Sequence, residues 1–251
     1  MNRAPGLCRE TPTRMKTPRL LLPVAVFVTA ALAASAAFQS ARWLPDNPMP
    51  AYPATLRLTG ITKGTAVVAL SVDANGHVKD QLVVAYTDPD FARTSTEVLR
   101  DCRFAPAMLD GVPVPVQFDL RFDYTLEGAV ITSGVMEHFL YDRIDNFGPN
   151  ALSYRPADAA RVDHAPVRVG GVAPKYALAA LKDGVKGVVT VRFYIDEHGN
   201  VRLPAITGIA NPYLCEQAMA AVREWKFQPV TSRGEPVLVA AQQDFDFGNG
   251  R

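Results

Sequence analysis

Groups able to carry out chemistry are few in this sequence, and they are scattered. The four histidines, His77, His138, His164 and His198, are isolated from one another along the chain. His77 and His198 fall in Asx/Gly turn sequences, where solvent exposure is the expectation. No Cys/His spacing suits a zinc site, so no metal or cofactor is expected. Asp73 and Asp196 each precede a turn glycine and read as turn formers, not as a pair of acids. The hydroxyl residues show no base-and-orienter pattern of the kind nucleophilic catalysis needs. Cys102 and Cys215 could form a disulfide in an oxidising compartment. The competing reading is two small buried apolar residues. Trp225 and Phe227 could stack on a ligand, but Trp225 closes an apolar helical stripe, which favours core anchoring. The sequence therefore points away from an enzyme and towards a binding module.

Composition agrees. The chain has 251 residues, 48% hydrophobic and 20% charged, with a formal net charge of +1. That balance is ordinary globular material and argues against general nucleic-acid affinity. Lys16 and Arg19 precede an apolar run from Leu20 to Ala34, and Ala34-Ser35-Ala36 is a small-x-small cleavage signal. Residues 1–36 read as a secretory signal peptide. The rival reading is an uncleaved membrane anchor, since the run could extend to Phe38. Membrane contact is expected only if this segment is retained. Without it, 21 basic and 24 acidic residues remain, a net charge of −3.

The elements that would position any site come in a repeat. Residues 37–50 read as a tether. From Lys63-Gly64 an alternating run places Ala66, Val68, Leu70 and Val72 on one face, the pattern of a strand. Asp73-Ala74-Asn75-Gly76 supplies a turn, and Val78 to Tyr86 a second strand. Asp88-Pro89 starts a helix, with Asp as N-cap and Pro at the first position. Phe104-Ala105-Pro106 ends the helical stretch, and a last alternation runs from Val114 to Tyr124. From residue 64 onward, adding 123 to each number superposes a second copy without a gap. Gly64 falls on Gly187, Gly76 on Gly199, Pro89 on Pro212, Phe104 on Phe227 and Pro106 on Pro229. The matches are turn glycines, the helix-start proline and inward apolar positions, where geometry restricts choice most. Cys102 stands where the second copy has Trp225, which should weaken the first copy.

The second copy resembles the C-terminal domain of the TonB family. The resemblance rests on Pro174-Lys175-Tyr176, Gly187 to Phe193, Asp196-Glu197-His198-Gly199-Asn200-Val201, Trp225-Lys226-Phe227-Gln228-Pro229 and Gly234-Glu235-Pro236-Val237. The first copy keeps Tyr52-Pro53, whereas Ala177 replaces the family's proline after Tyr176. The N-terminal segment lacks the histidine of the family's energy-coupling helix, and no proline-rich spacer follows it. The resemblance implies an α+β fold of two small TonB-C-like domains, each a three-stranded antiparallel sheet packed by two helices. The first would span 51–126, a linker 127–170 with a short helix near 134–145, and the second 171–251. The structural motif residues would be Tyr52, Pro53, Gly64, Gly76, Tyr176, Gly187, Gly199, Trp225, Phe227, Pro229, Gly234 and Pro236. The resemblance further implies a periplasmic location, or an inner-membrane one with a single retained anchor. It also implies an extended protein segment as partner, such as part of an outer-membrane receptor, added to a sheet edge. The matching edge would be the last strand, with Val237, Leu238, Val239, Ala240, Gln242 and Asp244 as binding residues. A covered or homodimeric edge is the alternative.

Overall fold

The computed structural model describes residues 38–135, 152–157, 161–174, 186–208 and 211–248. The 1–36 segment lies outside these residues, as do Tyr176, His138 and most of the 134–145 stretch expected as a helix. The first copy opens with β1 (Phe38–Gln39) and β2 (Arg42–Trp43), followed by a 3-10 turn (Ala54–Leu58). Then come β3 (Lys63–Val72), β4 (Val78–Tyr86) and helix α1 (Pro89–Leu99). Short strands β5 (Phe104–Ala105), β6 (Ala107–Leu109) and β7 (Val112–Val114) lead to β8 (Val116–Thr125) and β9 (Gly128–Val135). The second copy is entered by β10 (Arg168–Gly170), followed by β11 (Val188–Ile195), β12 (Val201–Thr207) and helix α2 (Pro212–Arg223). It closes with β13 (Lys226–Phe227), β14 (Thr231–Ser232), β15 (Glu235–Pro236) and β16 (Val239–Asp246).

Local chemistry sets these elements twice over. Asp73 Oδ1 accepts from the N–H groups of Asn75 and His77, and Asp196 Oδ1 accepts from those of His198 and Asn200. The turn glycines take φ +81° at Gly76 and +77° at Gly199. A Cβ on either would meet the carbonyl oxygen of Phe104 or Phe227 at 1.9 or 2.0 Å. Only glycine satisfies both the dihedral and the close approach. Asp88 caps α1 by accepting from Asp90 N–H, and Asn211 caps α2 by accepting from Tyr213 N–H.

Both sheets are antiparallel. The second has three strands, in the order β12-β11-β16, as expected. The first has four, in the order β4-β3-β8-β9. Three strands were expected there, and the fourth comes from the stretch read as linker. Gly128–Val135 pairs residue for residue with β8, from Thr125 opposite Gly128 to Phe118 opposite Val135. Two helices per domain were expected; the described residues of the first copy hold one α-helix, α1, and a five-residue 3-10 turn. In the second copy the described residues hold one helix, α2.

The stretch 37–50 is no tether where it is described. β1 pairs with β6 and β2 with β5, Ala41 is buried, and the Asn47 side chain exchanges hydrogen bonds with the Arg103 backbone. Further along, Asp163 accepts from the N–H groups of Arg233 and Gly234, so this part of the expected linker is fastened to the second copy.

Three apolar clusters hold the structure. In the first copy α1 lies on one face of the sheet, over Ala66, Val68, Leu70 and Val72. In the second, α2 and Trp225 lie over Val189, Val191, Phe193 and Ile195. The third cluster joins the copies: Val67, Ala69, Leu82 and Val84 of the first pack with Tyr194, Leu203 and Leu238 of the second. The sheets therefore meet back to back, helices outermost, as in a sandwich. Each large side chain buried in this way contributes about 1.5–3 kcal/mol. The β11–β12 register shifts between Arg192 and Tyr194, and Leu203 takes φ +47°. The bulge turns Leu203 into the shared core.

Candidate functional site

The last strand forms because its residues alternate. Val239, Ala241 and Phe245 pack towards α2 and Trp225, while Gln242, Asp244 and Asp246 are exposed. It pairs with β11 from Ile195 opposite Val239 to Val188 opposite Asp246. Phe247 N–H donates to Gly187 O at 2.9 Å. In an antiparallel ladder the bonded pairs alternate. Phe245, Gln243, Ala241 and Val239 therefore turn their backbone groups towards β11, and Ala240, Gln242 and Asp244 turn theirs away from it. Among the described residues no strand lies on that far side. The one contact there is at the strand's start, where Ala157 bridges to Val239 and its N–H donates to Leu238 O at 2.7 Å. The Gln243 side chain donates to the outward carbonyl of Asp244 at 2.7 Å, which partly shields the edge.

Six binding residues were expected, and the structure divides them. Leu238 is fully buried in the core between the copies, and its carbonyl is taken by Ala157. Val239 is buried beneath α2, and Val237 N–H bonds Val230 O. These three lie outside the open part of the edge, because the sheet-on-sheet contact covers that end. Gln242 and Asp244 remain on it, and Ala240 lies beside the Ala157 bridge.

Beside the edge, on the helix side, lies a groove of about 510 Å³. Its walls include Arg168, Phe193, Trp225, Phe227, Ala241 and Phe245. Trp225 is buried and anchored, with Nε1 donating to Val172 O at 2.9 Å. The Arg168 guanidinium lies 4.7 Å from the Trp225 ring centroid. Trp225 and Phe227, read as core anchors, are core residues that also form the groove wall. The groove was not read from the sequence. Ala241, a small residue in an otherwise bulky row, was the available signal.

Other candidates are dispersed. His198 and His164 are exposed, and His77 pairs with Asp73 at 3.6 Å in its own turn. The two cysteines are free, Cys102 in the first copy's core and Cys215 against the second's, so the disulfide is not formed. Burial pushes the Cys102 thiol up to about 11, with Asp101 adding to the shift. Among the described residues no group of His, Cys, Asp and Glu is placed to hold a metal ion. Nor is any helix there long and apolar enough to cross a membrane.

The family model described as Gram-negative bacterial TonB protein C-terminal matches residues 48–126 and 172–248. The chain belongs to the TonB C-terminal family. Both copies are matched, the weaker first one included. Protein TonB of Vibrio cholerae serotype O1 is 32% identical over 104 residues. That match covers 38% of this chain and 42% of the Vibrio protein, so the chain spans less than half of that relative. No solved structure matches.

The TonB family residues have visible structural roles. Tyr52 is buried edge-on to Phe91 at 5.6 Å and donates to Ile61 O, and Pro53 leads into the 3-10 turn. Gly64 lies under the Phe91 ring, where a Cβ would be 1.9 Å from it, whereas its counterpart Gly187 has ordinary room. Gly234 takes φ +83° between β14 and β15, and Pro229 and Pro236 are exposed around that hairpin. The family tryptophan missing at Cys102 is offset by Trp43, which packs edge-on to Phe104 at 5.6 Å.

Proposed function

We propose that this protein is a non-enzymatic, periplasmic member of the TonB family. It binds an extended segment of another envelope protein by adding it to β16, in cell-envelope transport or energy transduction. The outward N–H groups of Gln242 and Asp244 are the docking row, and main-chain hydrogen bonds supply the affinity. One comparison carries the reading. The equivalent edge of the first copy, β8, is paired by β9 from Phe118 to Thr125, while β16 has no such neighbour among the described residues. An open edge is a liability unless it is used or guarded. The exposed Asp244 and Asp246 guard it against self-pairing while leaving the backbone accessible.

The test is a titration of the 15N-labelled protein with peptides from the periplasm-facing N-terminal segments of outer-membrane receptors. Shifts at Gln242 and Asp244 are expected. Gln242→Pro removes an outward N–H without breaking the ladder to β11, and should abolish them in a folded protein. Binding that persists in Gln242→Pro would contradict the reading, as would a β16-paired homodimer with no response to peptide.

A further inference from the structure

The groove beside β16 is one member of a pair, and the other member is already filled. Ala241 lies opposite Phe193 in the β11–β16 ladder, and Phe118 lies opposite Leu70 in the β3–β8 ladder. With Phe193 and Leu70 also 123 apart, Phe118 and Ala241 are the same position in the two copies. In the first copy that position carries a phenyl ring, buried and edge-on to Phe104 at 5.4 Å. Trp43 also packs edge-on to Phe104 at 5.6 Å. The second copy keeps the floor of this arrangement, with Phe227 in the place of Phe104, but has a methyl group where the ring would be. The space left lies in the groove of about 510 Å³, whose lining includes Gln242 and Gln243 of β16.

The first copy thus supplies from within two things that the described residues of the second copy do not: a strand along the edge and an aromatic ring in the groove. We propose that the segment added to β16 carries an aromatic side chain, Phe, Tyr or Trp, which enters this groove. There it occupies the place that Phe118 holds in the first copy. The inference rests on the strand-addition reading and adds a side-chain requirement to it. The walls suit such a ring: Phe193, Trp225, Phe227 and Phe245 offer edges and faces for stacked or edge-on contact. The Arg168 guanidinium at the rim suits an aromatic face or a phenol oxygen. The Gln243 side chain at the mouth must leave the Asp244 carbonyl when the strand arrives.

A library of short random peptides displayed on phage, selected on the immobilised full chain, tests this directly. Selected sequences are made as synthetic peptides, and each is also made with its aromatic residue replaced by Gly. The account expects one recurrent aromatic position, an affinity loss of about tenfold or more on replacement by Gly, and shifts at the β16 edge amides. Ala241→Phe copies the first domain's own solution and should fold at least as stably. It should bind the aromatic peptides about as weakly as the Gly forms. Edge binding with no aromatic preference, unchanged in Ala241→Phe, would overturn the groove proposal and leave strand addition standing. If peptides bind without shifting Gln242 or Asp244, or if none is selected, strand addition falls and the groove proposal with it.

Discussion

Arg202 of the second copy grips Asp80 of the first. Its Nε donates to Asp80 Oδ2 at 3.2 Å, its Nη2 donates to Asp80 Oδ1, and Nη2 also reaches Gln81 O at 3.0 Å. This bidentate contact lies at the margin of the apolar cluster shared by the two sheets. Gln117 Nε2 donates to Pro204 O at 2.9 Å on the same seam. Tyr154, stacked on Tyr86 with centroids 4.9 Å apart, donates to Glu197 and ties the intervening stretch to both copies.

If these contacts couple the copies, Arg202→Ala should lower stability by about 1–2 kcal/mol, because the pair is partly exposed. A double-mutant cycle with Asp80→Ala should return a coupling of about 1 kcal/mol. Calorimetry should show one unfolding transition for the native chain and a broadened or split one for Leu238→Asp, which places a charge in the shared core.

Asp119 gives the stability a pH dependence of unusual sign. It lies on β8 beside Ala69, on the face turned to the second copy, and its Oδ1 is buried without a hydrogen-bond partner. Burial pushes its carboxyl up to about 7. The folded state therefore favours the protonated acid. The stabilisation is fully present below about pH 4, the unfolded value, and is lost as pH rises through about 7. Denaturant titrations of the native chain and Asp119→Asn should diverge across that window by up to about 4 kcal/mol. Asn should be the less pH-sensitive of the two.

Ser95 interrupts the apolar stripe of α1, and the structure supplies the reason. Its hydroxyl donates to Phe91 O at 2.9 Å and lies 2.7 Å from the Tyr124 hydroxyl, both groups being buried. Burial lifts Tyr124 to about 12 against the lowering effect of Ser95. The second copy has Ala218 and Phe247 at these positions. Ser95→Ala alone should cost about 1–3 kcal/mol by weakening the Tyr124 hydroxyl's pairing, while adding Tyr124→Phe should restore most of it.

Thiol mapping should separate the two cysteines. Cys102 is 1% exposed with its Sγ donating to Val98 O at 3.2 Å, while Cys215 is partly accessible. Alkylation of the native protein, read by peptide mass spectrometry, should label Cys215 first and Cys102 only after unfolding. A Cys102–Cys215 linked peptide from the native protein would contradict the separate placement of the two thiols.

Much of this fold was legible because certain residues have one geometric use. Gly76 and Gly199 announce the same turn, and Asp88-Pro89 and Asn211-Pro212 the same helix start. The four-stranded first sheet was not read, because Gly128–Val135 offers little beyond Ala129 and Ile131 to mark a buried face. The back-to-back packing was not read either, although β3 carries apolar Val67 and Ala69 on its second face. A strand apolar on both faces has both faces covered. The expected edge was located one end too far, since Leu238 resembles an outward residue until the first copy is placed against it. The groove was beyond the pattern altogether: it exists because Ala241 is small, and alternation records polarity, not volume.

The central claim is that β16 keeps an open edge where the first copy's edge is closed. Residue-resolved hydrogen exchange on the peptide-free monomer measures this directly. The account predicts that the amides of Gln242 and Asp244 exchange about a hundredfold or more faster than those of Asp119 and Arg121, their counterparts against β9. Equal, strong protection of both sets would contradict it, because the β16 edge would then already be covered.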